Sequence, residues 1–220
     1  MTVARNSLLD SAMSRKRTSF QIRFLSILLL CALRILPIDT AGSAEPSDDL
    51  TGQLLVATPE MRDPRFAETV IYIVKHDREG TFGLVINRPI AKGPLQDLLK
   101  GFGIDNLEAK GEIIIHYGGP VTPRAGFVLH SDDVILEESA KVANGIAMTS
   151  DPKLIEAMAQ GKGPRQSLFI MGYAGWARGQ LEGELMAGSW FVVSGDKALI
   201  FGQDAGRKWQ QAMDRRKIPL

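Results

Sequence analysis

The sequence predicts a mixed α+β fold with a large, mostly antiparallel sheet. Short segments rich in Val, Ile and Phe recur along the chain and are bounded by Gly, Pro or Asp, which is typical of β-strands. Helix signals are fewer, and they do not alternate regularly with the strands as they would in a doubly wound parallel sheet. The chain has 220 residues, 45% hydrophobic and 23% charged, which is the composition of one globular domain.

The strand signal occurs throughout the chain. It is carried by Leu54–Thr58, Val70–His76, Gly83–Asn87, Glu112–Tyr117, Gly126–His130, Gly145–Thr149, Leu168–Tyr173, Trp190–Ser194 and Ala198–Phe201. The segment Asp77–Gly80 separates two of these strands by a few residues that include Gly, so it predicts a hairpin loop.

Four helices are predicted. In the clearest, Asp151 is a good N-cap before Pro152 at the first helical position, and Gly161 lies just past the end. The others are predicted over Leu95–Lys100, from near Gly175, and over Ala205–Arg215.

The first 44 residues have the three-part order of a secretory signal peptide. The basic cluster Arg15–Arg17 precedes the apolar run Phe24–Leu33, and small residues before Ala44 supply a cleavage site. The apolar run is shorter than the roughly 20 residues that span a bilayer, so no membrane span is expected in the mature chain. An uncleaved anchor, a cytosolic tail and translation from Met13 are the alternatives.

Cleavage after the signal peptide would give a periplasmic or secreted protein. The predicted organisation is a signal peptide over 1–44, a linker over 45–53, the domain over 54–215 and a C-terminal tail over 216–220. Without residues 1–44, the chain keeps 20 Lys and Arg against 23 Asp and Glu, a net charge of −3. That balance argues against a basic face for nucleic acid. The only cysteine, Cys31, leaves with the signal peptide.

The signatures of the common enzyme classes are missing. The chain contains no G-x-S-x-G, H-E-x-x-H, P-loop or G-x-G-x-x-G sequence, so we predict no catalytic residue, metal site or cofactor. His130 with Asp132 and Asp133 is the most suggestive chemical cluster, because these side chains can bind a metal or transfer a proton. We interpret the two carboxylates as a polar turn after a strand, with the chemical role as the alternative.

Glycine-rich segments supply the other candidate binding elements. Gly118 and Gly119 favour a tight turn, and their amides could alternatively hold an anion. Gly172 and Gly175 favour a sharp strand-to-helix turn, which would place Trp176 against the sheet. The candidate binding residues are Gly118, Gly119, His130, Gly172, Gly175, Trp176, Gln180 and Glu182.

These residues belong to a longer pattern that spans the whole domain. It comprises Leu54, Pro59, Met61, Asp63, Phe66, His76, Gly80, Gly83–Pro89, Gly118–Pro120, Leu129, His130, Gly172–Trp176, Gly179–Glu182, Glu184, Trp190 and Phe201. In this pattern the chain resembles the YqgE/AlgH family. The resemblance implies a compact single α+β domain with a barrel-like sheet flanked by helices, and no established catalytic activity. Members usually look cytosolic, and some are named as transcriptional regulators.

Taken together, these features favour a non-enzymatic binding or accessory protein of the bacterial envelope. Its partner would be an unknown protein or small-molecule ligand. One alternative is an enzyme whose site groups Gly118 and Gly119 with His130 and the segment Gly172–Trp176. The other is a cytosolic transcriptional regulator, as some members of the family are named.

Overall fold

The computed structural model describes residues 49–105 and 108–216. The predicted signal peptide lies outside the described residues, as does the tail beyond residue 216. The described part is one α+β domain with a mostly antiparallel, barrel-like sheet and flanking helices, so the predicted fold class is confirmed.

Ten strands and five α-helices make up the described part of the chain. The strands are β1 Gln53–Ala57, β2 Val70–Asp77, β3 Gly80–Val85, β4 Pro89–Pro94, β5 Glu112–Tyr117, β6 Val121–Ser131, β7 Ala140–Lys141, β8 Ile146–Thr149, β9 Ser167–Ala177 and β10 Trp190–Ser194. The helices are α1 Leu95–Gly101, α2 Lys153–Ala159, α3 Gln180–Met186, α4 Lys197–Ile200 and α5 Lys208–Arg216, and a 3-10 turn covers Ala205–Arg207. No helix among these residues has the length and apolar character needed to cross a membrane.

The strands form one sheet in the order β10-β1-β2-β3-β9-β6-β8-β7. All these neighbours are antiparallel, while β5 joins β9 in parallel and carries β4 on its other edge. The predicted hairpin between β2 and β3 is confirmed, with Asp77 paired to Gly80. Strand β9 is therefore the hub of the sheet, because it contacts β3, β5 and β6.

Both faces of the sheet are covered. Along β1, Leu54 and Val56 belong to one buried cluster, whereas Leu55 and Ala57 belong to another. Successive side chains of a strand point to opposite faces, so these two clusters lie on opposite sides of the sheet. The second cluster contains Trp176 and lies beneath the site described below.

The predicted strand-to-helix turn at Gly172 and Gly175 is wrong. Gly172 has φ 74°, yet the chain continues as strand to Ala177, and Gly175 pairs with Phe82 of β3. The turn into α3 comes later, at Gly179, which has φ 75°. The left-handed residue coincides with a shift in the register between β9 and β6, which pair at Met171 and again at Tyr173, and glycine adopts positive φ at no steric cost.

Two further differences have local causes. The segment Ala198–Phe201 was predicted as a strand but forms α4, because the Asp196 carboxylate accepts the Leu199 N–H at 2.9 Å and caps a helix. Strand β4 carries no buried hydrophobic alternation and is bounded by Pro89 and Pro94, so the sequence gives no strand signal there.

A buried lysine joins the last helix to the sheet. The Lys208 side chain is 1% exposed, and its Nζ donates to the carbonyl oxygens of Ile200 at 2.6 Å and Ile86 at 3.2 Å. Burial lowers the pKa of this ammonium group from 10.5 to about 8.

Lys208 should make the stability of the protein depend on alkaline pH. The unfolded chain holds this proton up to about pH 10.5, whereas the folded chain loses it near pH 8. Between these values the unfolded state binds more protons, so deprotonation favours the fold. The free energy of unfolding of the wild type, minus that of Lys208→Met, should rise by about 1 kcal/mol per pH unit above pH 8. Urea unfolding at several pH values measures this, and a flat difference would contradict it.

Candidate functional site

A cleft of about 690 Å³ opens beside the end of β9. One wall is the loop that follows β1, and the other is formed by the end of β9, α3 and the start of β10. The lining residues are Glu60, Met61, Arg62, Asp63, Arg65, Phe66, Pro120, Gly175, Trp176, Gln180, Glu184, Ala187, Gly188, Ser189 and Trp190.

Three aromatic rings form the base of the cleft. Phe66, Trp176 and Trp190 contact one another with ring centroids 5.6–6.5 Å apart. The two tryptophans are buried, at 6% and 3% exposure, while Phe66 is half-buried on the loop. Contact between the rings joins the loop to the wall formed by β9 and β10. Each aromatic pair contributes roughly 0.5–1.5 kcal/mol of stability beyond that of the surface it buries.

The Glu184 carboxylate is the polar centre of this wall. Its Oε2 accepts the indole N–H groups of Trp176 at 3.0 Å and Trp190 at 2.7 Å, and its Oε1 accepts Gln180 Nε2 at 3.0 Å. Glu184 is half-buried. Its carboxylate satisfies three donors at the edge of the cleft.

Gln180 also bonds to the strand it follows. Its Oε1 accepts the Ala177 N–H at 3.1 Å, and the same carboxamide donates to Glu184. The last residue of β9, the first turn of α3 and the carboxylate are thus linked by a single side chain. This arrangement fixes the rotamers of the cleft wall.

The loop wall is held by side chains from the segment that follows β3. Arg88 donates to the carbonyl oxygens of Arg65 at 2.7 Å and Ala67 at 2.6 Å. Asn87 accepts the Val70 N–H at 2.9 Å and donates to the Glu68 carbonyl oxygen at 2.9 Å. Arg88 therefore positions the loop backbone, and its guanidinium is committed to this role.

The loop presents charges of both signs. Asp63 accepts hydrogen bonds from the Arg65 side chain at 2.6–3.1 Å, and these bonds hold the pKa of the Asp63 carboxyl below its usual value. Arg62 and Glu60 are exposed at the cleft mouth. The cleft can therefore receive a ligand that carries both apolar and polar groups.

The structure brings some of the predicted site residues together. Gly175, Trp176 and Gln180 line the cleft, while Glu182 faces away from it and contacts His76 Nε2 at 3.5 Å. His76 also lies 2.8 Å from Thr81 through its Nδ1. The Glu182 contact thus fastens α3 to the β2–β3 hairpin behind the cleft wall.

Gly118 and Gly119 are buried beneath β9 and do not form an open turn. The Gly118 N–H donates to the Met171 carbonyl oxygen at 2.7 Å, and a Cβ on Gly119 would lie 2.2 Å from the Tyr173 backbone. The two glycines permit this close approach of backbones. The Gly118 amide is consequently committed to β9 rather than presented to an anion.

His130 lies at the other end of β9 from the cleft. It pairs with Ser167, five residues before Gly172, and strands rise about 3.3 Å per residue. Its side chain is fully buried, its Nδ1 lies 2.9 Å from the Ser131 carbonyl oxygen, and burial lowers its pKa. The grouping of His130 with the segment Gly172–Trp176 in one site is therefore not formed.

The carboxylates that follow His130 occupy a turn. Asp133 accepts a short hydrogen bond from Ser131 and binds Arg165 at 3.1 Å, and these donors lower its pKa to about 2. Asp132 lies 3.6 Å from the Lys197 ammonium group. Within the described ranges, no group of three or more His, Cys, Asp or Glu side chains is arranged to hold a metal ion.

Several cleft residues were not predicted as site residues. They are Phe66, Asp63, Arg65, Glu184 and Trp190. Phe66 and Trp190 lie 110 and 14 residues from Trp176 in the sequence, and only the folding of the sheet brings the three rings together. The one indication in the sequence was that all of these residues except Arg65 belong to the pattern shared with the family.

The barrel-like, mostly antiparallel sheet and the cleft beside β9 make this protein a small α+β domain with an aromatic groove. The chain belongs to the AlgH-like family, whose model matches residues 54–220. The resemblance inferred from the sequence is thereby confirmed.

The relatives are similar over most of their length. A UPF0301 protein of Methylococcus capsulatus is 41% identical over 172 residues, which are 78% of this chain and 94% of that protein. A UPF0301 protein of Caulobacter vibrioides is 41% identical over 167 residues, which are 74% and 85% of the two chains.

Solved structures show the same architecture. The solution structure of the AlgH protein from Pseudomonas aeruginosa matches with a TM-score of 0.67 and 34% identity, over 80% of this chain and 93% of that one. A crystal structure of a Corynebacterium diphtheriae protein matches with a TM-score of 0.61 over 77% and 88% of the two chains. At 23% identity, the second match is a likeness of fold alone.

Proposed function

We propose that this protein is a non-enzymatic binding protein of the bacterial envelope whose ligand occupies the aromatic cleft. The observation that carries the proposal is the Glu184 network, in which two indoles and Gln180 converge on one half-buried carboxylate. This network fixes an apolar base and a polar wall side by side. Ligand sites combine these two features.

The size of the cleft supports a binding role. Its volume of about 690 Å³ lies within the roughly 300–1,000 Å³ of typical ligand pockets. Its wall is preformed, because Arg88 holds the loop and Glu184 holds the two tryptophans. A preformed wall lowers the conformational cost of binding.

The chemistry of the cleft favours binding over proton transfer. No histidine is among its lining residues, and the Asp63 carboxylate is committed to Arg65. Glu184 is committed to its three donors. A general base needs a group that is free to exchange a proton with the substrate, and hydrogen bonds from neighbouring side chains occupy both of these carboxylates.

The envelope location rests on the sequence of the N-terminus. The basic cluster, the apolar run and the small residues before Ala44 support export and cleavage. Fractionation of cells followed by mass spectrometry of the natural protein tests this part. A mature chain that begins near Glu45 in the periplasmic fraction is expected, and an intact N-terminus in the cytosol would contradict it.

Screening of small-molecule fragments by nuclear magnetic resonance tests the cleft itself. The chain has three tryptophans, and each gives a distinct indole N–H signal. Fragments that bind the cleft should shift the Trp176 and Trp190 signals together. The Trp209 signal serves as an internal control, because this indole donates to the Ala57 carbonyl oxygen at 2.8 Å and does not line the cleft. Fragments that shift only Trp209, or none that bind, would count against a ligand-binding cleft.

A further inference from the structure

The end of β9 has a free edge that opens into the cleft. On one side, residues Ala174–Ala177 pair with β3. On the other side, β6 pairs with β9 only as far as Tyr173, which faces Val121. Within the described part of the chain, no strand covers that side of β9 beyond Tyr173. An uncovered strand edge is a template for pairing with another chain.

The backbone of Gly175 points to this uncovered side. The Trp176 carbonyl oxygen faces β3, since a Cβ added to Gly80 would lie 2.3 Å from it. The Ala177 N–H instead bonds to the Gln180 side chain. Backbone groups of alternate residues in a strand point to opposite neighbours. Gly175 therefore directs its N–H and carbonyl away from β3, and it is exposed.

The Gln180 carboxamide already acts as a peptide group on this edge. Its Oε1 accepts the Ala177 N–H at 3.1 Å, as the carbonyl of a neighbouring strand would. Because this side chain satisfies Ala177, the next backbone donor along the edge is that of Gly175. The edge is thus capped at Ala177 and open at Gly175, which lines the cleft.

We propose that the ligand of the cleft is an extended peptide, which adds to β9 as a further strand at Gly175. This proposal rests on the cleft being a binding site. Main-chain hydrogen bonds to Gly175 would supply affinity, as in other cases of strand addition. Alternate side chains of an added strand point to one face. A peptide residue opposite Trp176 would therefore place its side chain toward Trp176 and Phe66.

A second cleft of about 390 Å³ also borders this part of β9 and shares Gly175 and Trp176 with the first. A Cβ at position 175 would lie 3.1 Å from the Tyr173 ring, so this ring would have to shift to admit a side chain there.

Selection of linear heptapeptides from a random display library on the full-length protein tests the proposal. The selected heptapeptide is then synthesised with an N-methyl group at each amide in turn. Gly175 is the residue at which the edge is open, so strand addition predicts that affinity falls about tenfold or more at the one amide that donates to the Gly175 carbonyl oxygen, and little at the others.

Two variants at one position supply the matched comparison. Gly175→Pro removes the N–H that faces the peptide but leaves the pairing with β3, whereas Gly175→Ala keeps that N–H and introduces the same Cβ. The heptapeptide should bind Gly175→Pro about tenfold or more weakly than Gly175→Ala, which is the loss of roughly one backbone hydrogen bond. If Gly175→Pro fails to fold, the N-methyl series on the wild type decides the question.

The outcomes separate the two proposals. No enriched heptapeptide, similar effects at all amides of the N-methyl series, or equal binding to the two variants would overturn strand addition. If fragments still shift the Trp176 and Trp190 indole signals, the cleft remains a binding site for another class of ligand. If neither fragments nor heptapeptides bind, both proposals fail.

Discussion

Replacing Trp176 with alanine should lower the free energy of unfolding by roughly 3–5 kcal/mol, which is the usual cost of truncating a buried tryptophan. The side chain is 6% exposed and contacts both Phe66 and Trp190. Truncation would leave a cavity between the cleft base and the core beneath it. The loss is a large share of the roughly 5–15 kcal/mol available to a domain, so the melting temperature should fall clearly.

Met186→Ala is the matched control for Trp176→Ala. Met186 lies at the end of α3 and is 84% exposed, so its truncation should change stability by less than about 0.5 kcal/mol. Urea unfolding of both variants gives the comparison. If Trp176→Ala unfolds like the wild type but no longer binds a cleft ligand, Trp176 is a recognition residue rather than a packing residue.

Replacing Glu184 with alanine should cost roughly 2–6 kcal/mol, because each of the two indole N–H groups left without its acceptor costs about 1–3 kcal/mol. Both indoles donate to the same carboxylate oxygen, so one substitution removes both bonds. Glu184→Gln keeps a carbonyl oxygen at that position and should recover a large part of the loss. Urea unfolding measures all three proteins.

Glu182→Ala is the control for the Glu184 variants. Glu182 is a neighbouring glutamate on α3, 49% exposed at its side chain, and its contact with His76 is a surface pair worth at most about 1 kcal/mol. We therefore expect a much smaller loss of stability than for Glu184→Ala. If Glu184→Ala loses as little stability as Glu182→Ala, water in the cleft satisfies the two indole N–H groups. Glu184 would then be free to bind a ligand.

Some elements could be predicted because their signals are local. Strands β5 and β10 begin and end as predicted, since their hydrophobic residues are contiguous and bounded by polar residues or glycine. Helix α2 follows Asp151, whose carboxylate accepts the Lys153 N–H at 2.9 Å as expected of an N-cap. In each case the residues that decide the structure are close together in the chain.

Only part of the candidate site could be predicted from the sequence. Trp176 was predicted to pack against the sheet, and its burial confirms this. Glu182 was predicted as a candidate binding residue and Glu184 was not, whereas the structure places Glu184 in the cleft and Glu182 outside it. Their directions are set by the packing of α3, which places one carboxylate under two indoles and the other beside His76.

The sequence by itself determined the α+β class, the family and most strand positions, because hydrophobic period and turn residues act over a few positions. Only the tertiary structure decided that β9 passes straight through Gly172 and Gly175, since its pairing with β3 joins residues about ninety positions apart. It likewise placed His130 away from the cleft and Phe66 within it. Contacts between distant segments depend on strand order and register, which local patterns do not encode.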